Sequence, residues 1–185
     1  MSKIGKKPIK ILQGVKIEEV EKGKIKITGK LGELFFIYPY NDFSLLIKEN
    51  EIIIQPQGEL DKNKKSLWGT LRALLNNKII GVSQGFKKTL ILQGIGYSAE
   101  LRGNKIIFKL GTSHPFELEI PEGIKIEIKA EKGRFLIIVE GIDKELVGQF
   151  AALIKALKPA DRYHLKGFMY EGEFIPTKPV KKLGK

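Results

Sequence analysis

The sequence predicts an α+β protein of two tandem similar domains, each an antiparallel sheet packed by one main helix, with basic N- and C-terminal tails. An internal repeat carries this prediction: "LWGTLRALLNN" at 67–77 is matched by "LVGQFAALIKA" at 146–156. A strand-like run, a glycine and an acid precede each copy, in "IIIQPQGELD" and in "LIIVEGID". Strands followed by one helix are typical of the α+β class with an antiparallel sheet.

Short alternating or β-branched runs predict the strands of both halves. In the first half they lie at 15–20, 24–28, 34–38, 45–48 and 52–55. In the second half they lie at 89–93, 97–101, 106–110, 116–120, 125–129 and 135–140. Gly103 and Asn104 tolerate positive φ and therefore predict a hairpin turn.

The two helices have different predicted ends. The first is expected to stop near Asn76 and Asn77, which leaves "KIIGVSQGF" at 78–86 as a linker. The second is expected to begin after Asp143 as N-cap and to stop before Pro159. Its predicted core stripe recurs at helical spacing and comprises Leu146, Phe150, Leu153 and Leu157.

These elements predict domain limits as well. We expect a first repeat with a basic N-terminal arm at 1–82, a second repeat at 83–158 and a basic C-terminal extension at 159–185. Both repeats are expected to stay folded when the extension is removed.

Charge is concentrated at the two ends of the chain. The net charge of the 185 residues is +12, of which 1–10 carries +4 and 155–185 carries +5. Clustered cations indicate a polyanion-binding protein. The alternative is a solvated surface that only aids solubility.

Composition excludes several classes of site and of location. There is no cysteine and there are only two histidines, so no metal site or cofactor is expected. No apolar run approaches the ~20 residues of a membrane span, and "MSKIGKKPIK" resembles neither a secretory signal nor a transit peptide. We expect no membrane partner and no small-molecule substrate.

Three weak motifs do not support an enzyme. "GKIKITGK" at 23–30 has the wrong glycine spacing for a phosphate loop, and "GIGYSA" at 94–99 precedes a strand rather than the helix that dinucleotide binding needs. Ser113 and His114 are adjacent, so in an extended chain they point to opposite faces. Exposed in the loop "GTSHP", they fit phosphate contact better, with a plain turn as the alternative.

The chain ends combine cations with aromatic side chains. The lysines at the N-terminus predict a flexible basic arm, while 159–185 adds Tyr163, Phe168 and Phe174 to its basic residues. Cations bind phosphates and aromatics stack on unpaired bases. The alternative for these aromatics is packing against the domain.

Long segments of the chain resemble one known family. "MSKIGKKPI", "GVSQGFKKTLILQGIGYSAEL", "LGTSHPFELEIPEGI" and "IIVEGIDKELVGQFAALIKALKP" together resemble the bacterial-type large ribosomal subunit protein six. The resemblance covers nearly the whole chain and is weakest at 31–66. It implies two tandem α+β domains and binding to large-subunit rRNA near the stalk base and the sarcin–ricin loop. It also implies neighbouring large-subunit proteins as partners; the alternative is a free-standing RNA-binding regulatory protein.

One signature of that family is altered here. After the second helix the family resembles P-x-x-Y-K-G-K-G, whereas this chain reads "PADRYHLKGF", with His164 and Leu165 in place of Lys-Gly. Many lysines and isoleucines suggest an AT-rich genome. A mitochondrial, organelle-encoded copy is therefore expected, with a bacterial cytoplasm or a plastid as alternatives.

The predicted rRNA-binding residues follow from these arguments. They are Lys3, Lys6, Lys7, Ser113, His114, Lys158, Arg162, Tyr163, His164, Lys166, Gly167, Lys178, Lys181 and Lys182.

Overall fold

The chain divides into two units, each with its own sheets and one helix. The computed structural model describes residues 3–48, 50–131 and 133–179. The first unit is Met1–Phe86 with Ile142–Lys144, and the second is Lys87–Gly141 with Glu145–Lys185. The predicted domain limits at 82 and 158 stay a prediction.

The first unit holds two antiparallel sheets and one helix. Its elements are β1 (Ile9–Lys10), β2 (Lys16–Glu21), β3 (Lys24–Gly29), β4 (Gly32–Ile37), β5 (Phe43–Ile47), β6 (Glu51–Pro56) and α1 (Lys62–Gln84). The strand orders are β1-β6-β5 and β2-β3-β4. All five predicted strands of this half are present, and their bounds differ from the prediction by one or a few residues.

Helix α1 is longer at both ends than the prediction. Asp61 caps its start, where the carboxylate accepts from the backbone N–H of Lys64 at 2.6 Å. The predicted linker at 78–86 is wrong, because the helix runs on to Gln84. Ile79 and Val82 continue the spacing of Leu75 and are buried with it. The gain from burying them outweighs the local signal of the two asparagines.

The second unit repeats this plan. Its elements are β7 (Phe86–Gln93), β8 (Ser98–Arg102), β9 (Lys105–Lys109), β10 (Phe116–Glu119), β11 (Ile124–Glu131), β12 (Arg134–Gly141), α2 (Lys144–Leu157) and β13 (Gly167–Tyr170). The strand orders are β10-β9-β8 and β11-β12-β7-β13. The hairpin at Gly103 and Asn104 is confirmed, since Arg102 pairs with Lys105 around it. The α+β class with antiparallel strand pairs is confirmed for both halves.

Helix α2 begins after Asp143 and ends before Pro159, as predicted, but it buries a different stripe. The buried residues are Val147, Phe150, Ala151 and Ile154, whereas Leu153 is 57% exposed. The predicted stripe is therefore wrong at Leu153. Nearly every residue from 146 to 154 is apolar or small, so the pattern fits two faces about equally well.

Strand β13 is the largest departure from the prediction. It lies within 159–185 and pairs antiparallel with β7, with Phe168 opposite Leu92. Phe168 is fully buried, and its ring packs edge-on against Phe108 with centroids 5.0 Å apart. The expectation that both repeats stay folded without 159–185 stays a prediction. The structure argues against it for the second unit, because this segment supplies a strand and a core side chain.

Candidate nucleic-acid interface

Three connecting segments meet at one end of the second unit. Gly167 at the start of β13 pairs with Gln93 at the end of β7, so the residues before Gly167 lie beside those after Gln93. Ser98 likewise pairs with Lys109, and Phe116 pairs with Phe108. The segments 94–97, 110–115 and 158–166 therefore lie at this end, which we call the loop end.

A carboxylate shapes the turn in the third segment. Asp161 accepts backbone N–H groups from His164 at 2.6 Å, Tyr163 at 2.7 Å and Lys166 at 3.2 Å. These donors, His164 first and most strongly, lower the pKa of the Asp161 carboxyl. Asp161, the one acidic residue in this segment, therefore has its carboxylate hydrogen-bonded to backbone N–H groups.

The turn exposes four of the predicted binding side chains. Arg162, His164 and Lys166 are exposed, and Tyr163 keeps 54% of its surface in solvent. An aromatic face, two cations and an imidazole are the groups that contact phosphates and unpaired bases.

Leu165 holds the turn in a conformation that favours glycine. Its φ is 55°, the one positive value among non-glycine residues in the described part of the chain. In the family signature that this segment resembles, a glycine stands in place of Leu165. An L side chain in this region costs roughly 1–2 kcal/mol, so the departure from the signature stores backbone strain at the candidate interface.

Gly167 has a structural reason to be glycine. Its φ is 130°, and a Cβ there would lie 2.5 Å from the carbonyl oxygen of Lys158. The Phe168 N–H donates to that same carbonyl at 2.8 Å. Gly167 therefore permits the close crossing of two chain segments, and its contact with RNA stays a prediction.

Lys158 joins the three segments of the loop end. Its ammonium donates to the carbonyl of Leu110 at 2.7 Å and lies 4.7 Å from the ring centroid of Tyr97. One of its three donors is used inside the protein, so Lys158 positions the loops as well as adding charge.

The loop after β9 presents the other two predicted residues. Ser113 and His114 are both exposed, and the Thr112 hydroxyl donates to the His114 carbonyl at 2.7 Å. The chain turns here and the two side chains remain open to a ligand.

Some side chains of the C-terminal segment are buried in the second unit and others are exposed to solvent. Lys178 donates its backbone N–H to the Arg162 carbonyl at 2.9 Å, which puts it beside the turn. Lys181 and Lys182 lie outside the described residues. The packing alternative is confirmed for Phe168, whereas Tyr163 and Phe174 are exposed at 54% and 87%.

Tyr170 and Glu173 attach this segment to the unit. The Lys155 ammonium lies 2.6 Å and 2.7 Å from the two Glu173 carboxylate oxygens and 4.5 Å from the Tyr170 ring centroid. This ammonium, together with the Tyr170 N–H, lowers the pKa of the Glu173 carboxyl. Tyr170 therefore packs against its own domain.

The N-terminal lysines belong to the first unit. Lys3, Lys6 and Lys7 are exposed, as a binding role requires. The expectation of a flexible arm is wrong for residues 3–10. A Cβ on Gly5 would lie 2.5 Å from the Trp68 ring, and Arg72 donates to the backbone carbonyl of Lys7 at 3.0 Å. The three lysines therefore project from an ordered segment.

One exposed apolar side chain at the loop end is not among the predicted binding residues. Ile95, between two glycines at the turn from β7 to β8, is 93% exposed. The glycines on either side indicate a turn, but an apolar residue between them does not show that its side chain faces solvent. The structure confirms that strand β8 follows this turn.

No group of three or more His, Cys, Asp or Glu in the described ranges is arranged to hold a metal ion. No helix in those ranges is long and apolar enough to cross a membrane.

Comparison with known proteins decides the family. A model of the Ribosomal protein L6 family matches residues 93–171, which include all three segments of the loop end. The large ribosomal subunit protein uL6 of Dictyoglomus thermophilum is 44% identical, with 98% of each chain covered. The chain belongs to the uL6 family. The uL6 of Carboxydothermus hydrogenoformans is 41% identical over all of this chain and 98% of its own, and that of Malacoplasma penetrans is 40% identical over all of this chain and 96% of its own.

Membership of the uL6 family bears on two predictions. The family is one of structural ribosomal proteins, so the protein is not an enzyme. The expected mitochondrial origin has no support, because these relatives are bacterial.

Proposed function

We propose that this protein binds large-subunit rRNA through the loop end and thereby serves as a structural constituent of the large ribosomal subunit. The observation that carries the proposal is the Asp161 turn. It holds Arg162, Tyr163, His164 and Lys166 outward, at the same end of the unit as the exposed Ser113 and His114. Membership of the uL6 family supports the same partner.

The proposed place in the subunit is the base of the stalk, near the sarcin–ricin loop and its neighbouring proteins. The resemblance of the whole chain to the family supports this location. Within it, Lys3, Lys6 and Lys7 of the first unit, and Lys178, Lys181 and Lys182 after the turn, are proposed as further phosphate contacts.

Binding is expected to follow phosphate position and RNA shape, so it should weaken steeply with salt. Wild-type protein and an Arg162→Ala, Lys166→Ala double variant are titrated with a large-subunit rRNA transcript at several salt concentrations. The double variant should bind more weakly, and its slope of log affinity against log salt should fall by about two, one for each lost phosphate contact.

A matched control tests whether location matters as well as charge. Lys125→Ala, Lys129→Ala removes two lysines from β11, which is not one of the three segments of the loop end. An equal loss of affinity and slope in both double variants would contradict the proposed interface.

Assembly distinguishes a ribosomal constituent from a free-standing regulator. Tagged wild-type protein should sediment with large subunits at moderate salt, at one copy per subunit. Sedimentation only in fractions free of ribosomes would contradict the proposal.

A further inference from the structure

We propose that Ile95 is an apolar RNA contact that packs on the riboses of an A-form minor groove, flanked by the cations of the loop end. This inference rests on the proposed function and assigns a part of the interface that carries no charge.

The side chain is held out by its backbone. Gly96 has φ 77°, and the Tyr97 N–H donates to the Gly94 carbonyl at 3.3 Å, which closes a tight turn around Ile95. A Cβ on Gly94 would collide with the Tyr97 ring. Both glycines are thus required by this turn.

The base of this turn is fixed as well. Lys158 lies over the Tyr97 ring at 4.7 Å from its centroid, and a Cβ on Gly111 would lie 3.3 Å from the same ring. The tip is therefore arranged before binding, and little conformational entropy is lost when it meets a partner.

The exposure of Ile95 is extreme. At 93% it exceeds that of every other large apolar side chain in the described part of the chain, where Phe174 follows at 87%. A single exposed apolar residue is ordinary. An isoleucine held at the tip of a braced turn, at the end of the unit that carries the exposed cations, is a specific arrangement.

Charge indicates which partner Ile95 meets. The three segments of the loop end hold Lys158, Arg162 and Lys166 against one acid, Asp161, whose carboxylate is bound by backbone N–H groups. An apolar tip at the end of the unit that carries exposed cations complements a polyanion better than a protein surface. The minor groove of A-form RNA is wide and shallow and displays riboses. A short branched side chain can pack there while the cations bind the phosphates on either side.

The test separates apolar from ionic contacts. Ile95→Ala is expected to weaken binding to a large-subunit rRNA transcript by about tenfold, because apolar surface no longer leaves water. The slope of log affinity against log salt should stay at the wild-type value, since no phosphate contact is lost. Arg162→Ala should lower that slope by about one.

Ile37→Ala is the matched control. Ile37 is 71% exposed on β4 of the first unit, and its truncation should leave both affinity and slope unchanged. Hydroxyl-radical footprinting of the bound transcript gives a second readout. Ile95→Ala should lose protection at a few adjacent riboses and keep the rest.

Three outcomes decide the matter. Wild-type affinity of Ile95→Ala overturns the inference while the proposed function stands. Wild-type affinity together with poor incorporation of Ile95→Ala into subunits also overturns it, and assigns the tip to a protein neighbour. Failure of the wild-type protein to bind the transcript contradicts the proposed function instead.

Discussion

Helices α1 and α2 bury equivalent positions of the internal repeat and then diverge. Trp68, Leu71 and Leu75 are buried in α1, and Val147, Phe150 and Ile154, each 79 residues later, are buried in α2. The sequence repeat is thus also a structural repeat, because the two helices bury the same face.

The divergence occurs at one position. Ile80 of α1 corresponds to Pro159, and α1 continues to Gln84 while α2 ends at Leu157. Proline lacks an N–H and its ring clashes with the preceding turn, so the helix cannot continue through it. The chain of the second unit turns instead, presents residues 161–166 and returns as β13. The two units share one arrangement of strands and helix. The candidate binding turn is found only in the second unit, where Pro159 ends α2 early.

The largest loss of stability is expected from a change in β13, the strand that follows α2 in the second unit. Phe168→Ala removes a fully buried ring that packs on Phe108, and should lower the free energy of unfolding by about 3–5 kcal/mol. Urea unfolding followed by circular dichroism measures it. Phe174→Ala, at an 87% exposed position, is the control and should cost almost nothing. Equal stability of the two variants would show that β13 is dispensable.

Gly167→Ala tests the close contact between Gly167 and the Lys158 carbonyl, which lets the chain return as β13. The new Cβ would meet the Lys158 carbonyl at 2.5 Å with φ at 130°, and should cost about 3 kcal/mol. Gly148→Ala is the matched change inside α2, where no atom lies within 4 Å of the new Cβ. It should stabilise the unit by roughly 0.5–1 kcal/mol through helix propensity. Destabilisation of similar size by both variants would contradict this difference.

Leu165→Gly tests the strain in the turn. Relief of the positive φ should gain about 1 kcal/mol, part of which is lost to the greater freedom of glycine in the unfolded chain. Leu165→Ala is the control, because it also removes the side chain but keeps the positive φ. The urea midpoint of Leu165→Gly should therefore lie above that of Leu165→Ala, and equal midpoints would argue against strain.

Acidification should cause the smallest change in the free energy of unfolding. The folded-state pKa values of Asp161 and Glu173 are lowered, so their hydrogen bonds stabilise the unit fully above the ordinary carboxyl pKa of about 4. That contribution is lost as the pH falls from there through the lowered values. Asp161→Asn should therefore be less stable than wild type at neutral pH, and the difference should shrink in acid. A difference that is constant with pH would contradict the role of the charge.

Local patterns predict much of this fold because strands and hairpins depend on neighbouring residues. All eleven strands expected from alternation are present, and the hairpin at Gly103 follows from its tolerance of positive φ. β13 is missed because four residues give little periodicity and their partner, β7, lies more than 70 residues earlier in the chain. The end of α1 is missed although Ile79 and Val82 continue the buried stripe, because the asparagines before them are a local signal for a helix end.

The candidate site is predicted in composition but not in arrangement. Arg162 and Lys166 are identifiable as cations near aromatics, whereas the hydrogen bonds of Asp161 that orient them depend on the three-dimensional turn. Ile95 is overlooked because an apolar letter between glycines gives no sign that its side chain faces solvent.

The docked N-terminal segment provides an optical reporter. Trp68 is the one tryptophan of the sequence, is 4% exposed, and has Gly5 against its ring. Its emission should therefore report the first unit alone, and should shift to the red when the N-terminal segment detaches. The second unit, which carries the candidate interface, contains tyrosines but no tryptophan. Unfolding of the first unit can thus be followed by tryptophan emission in an unlabelled sample, while circular dichroism follows the whole chain.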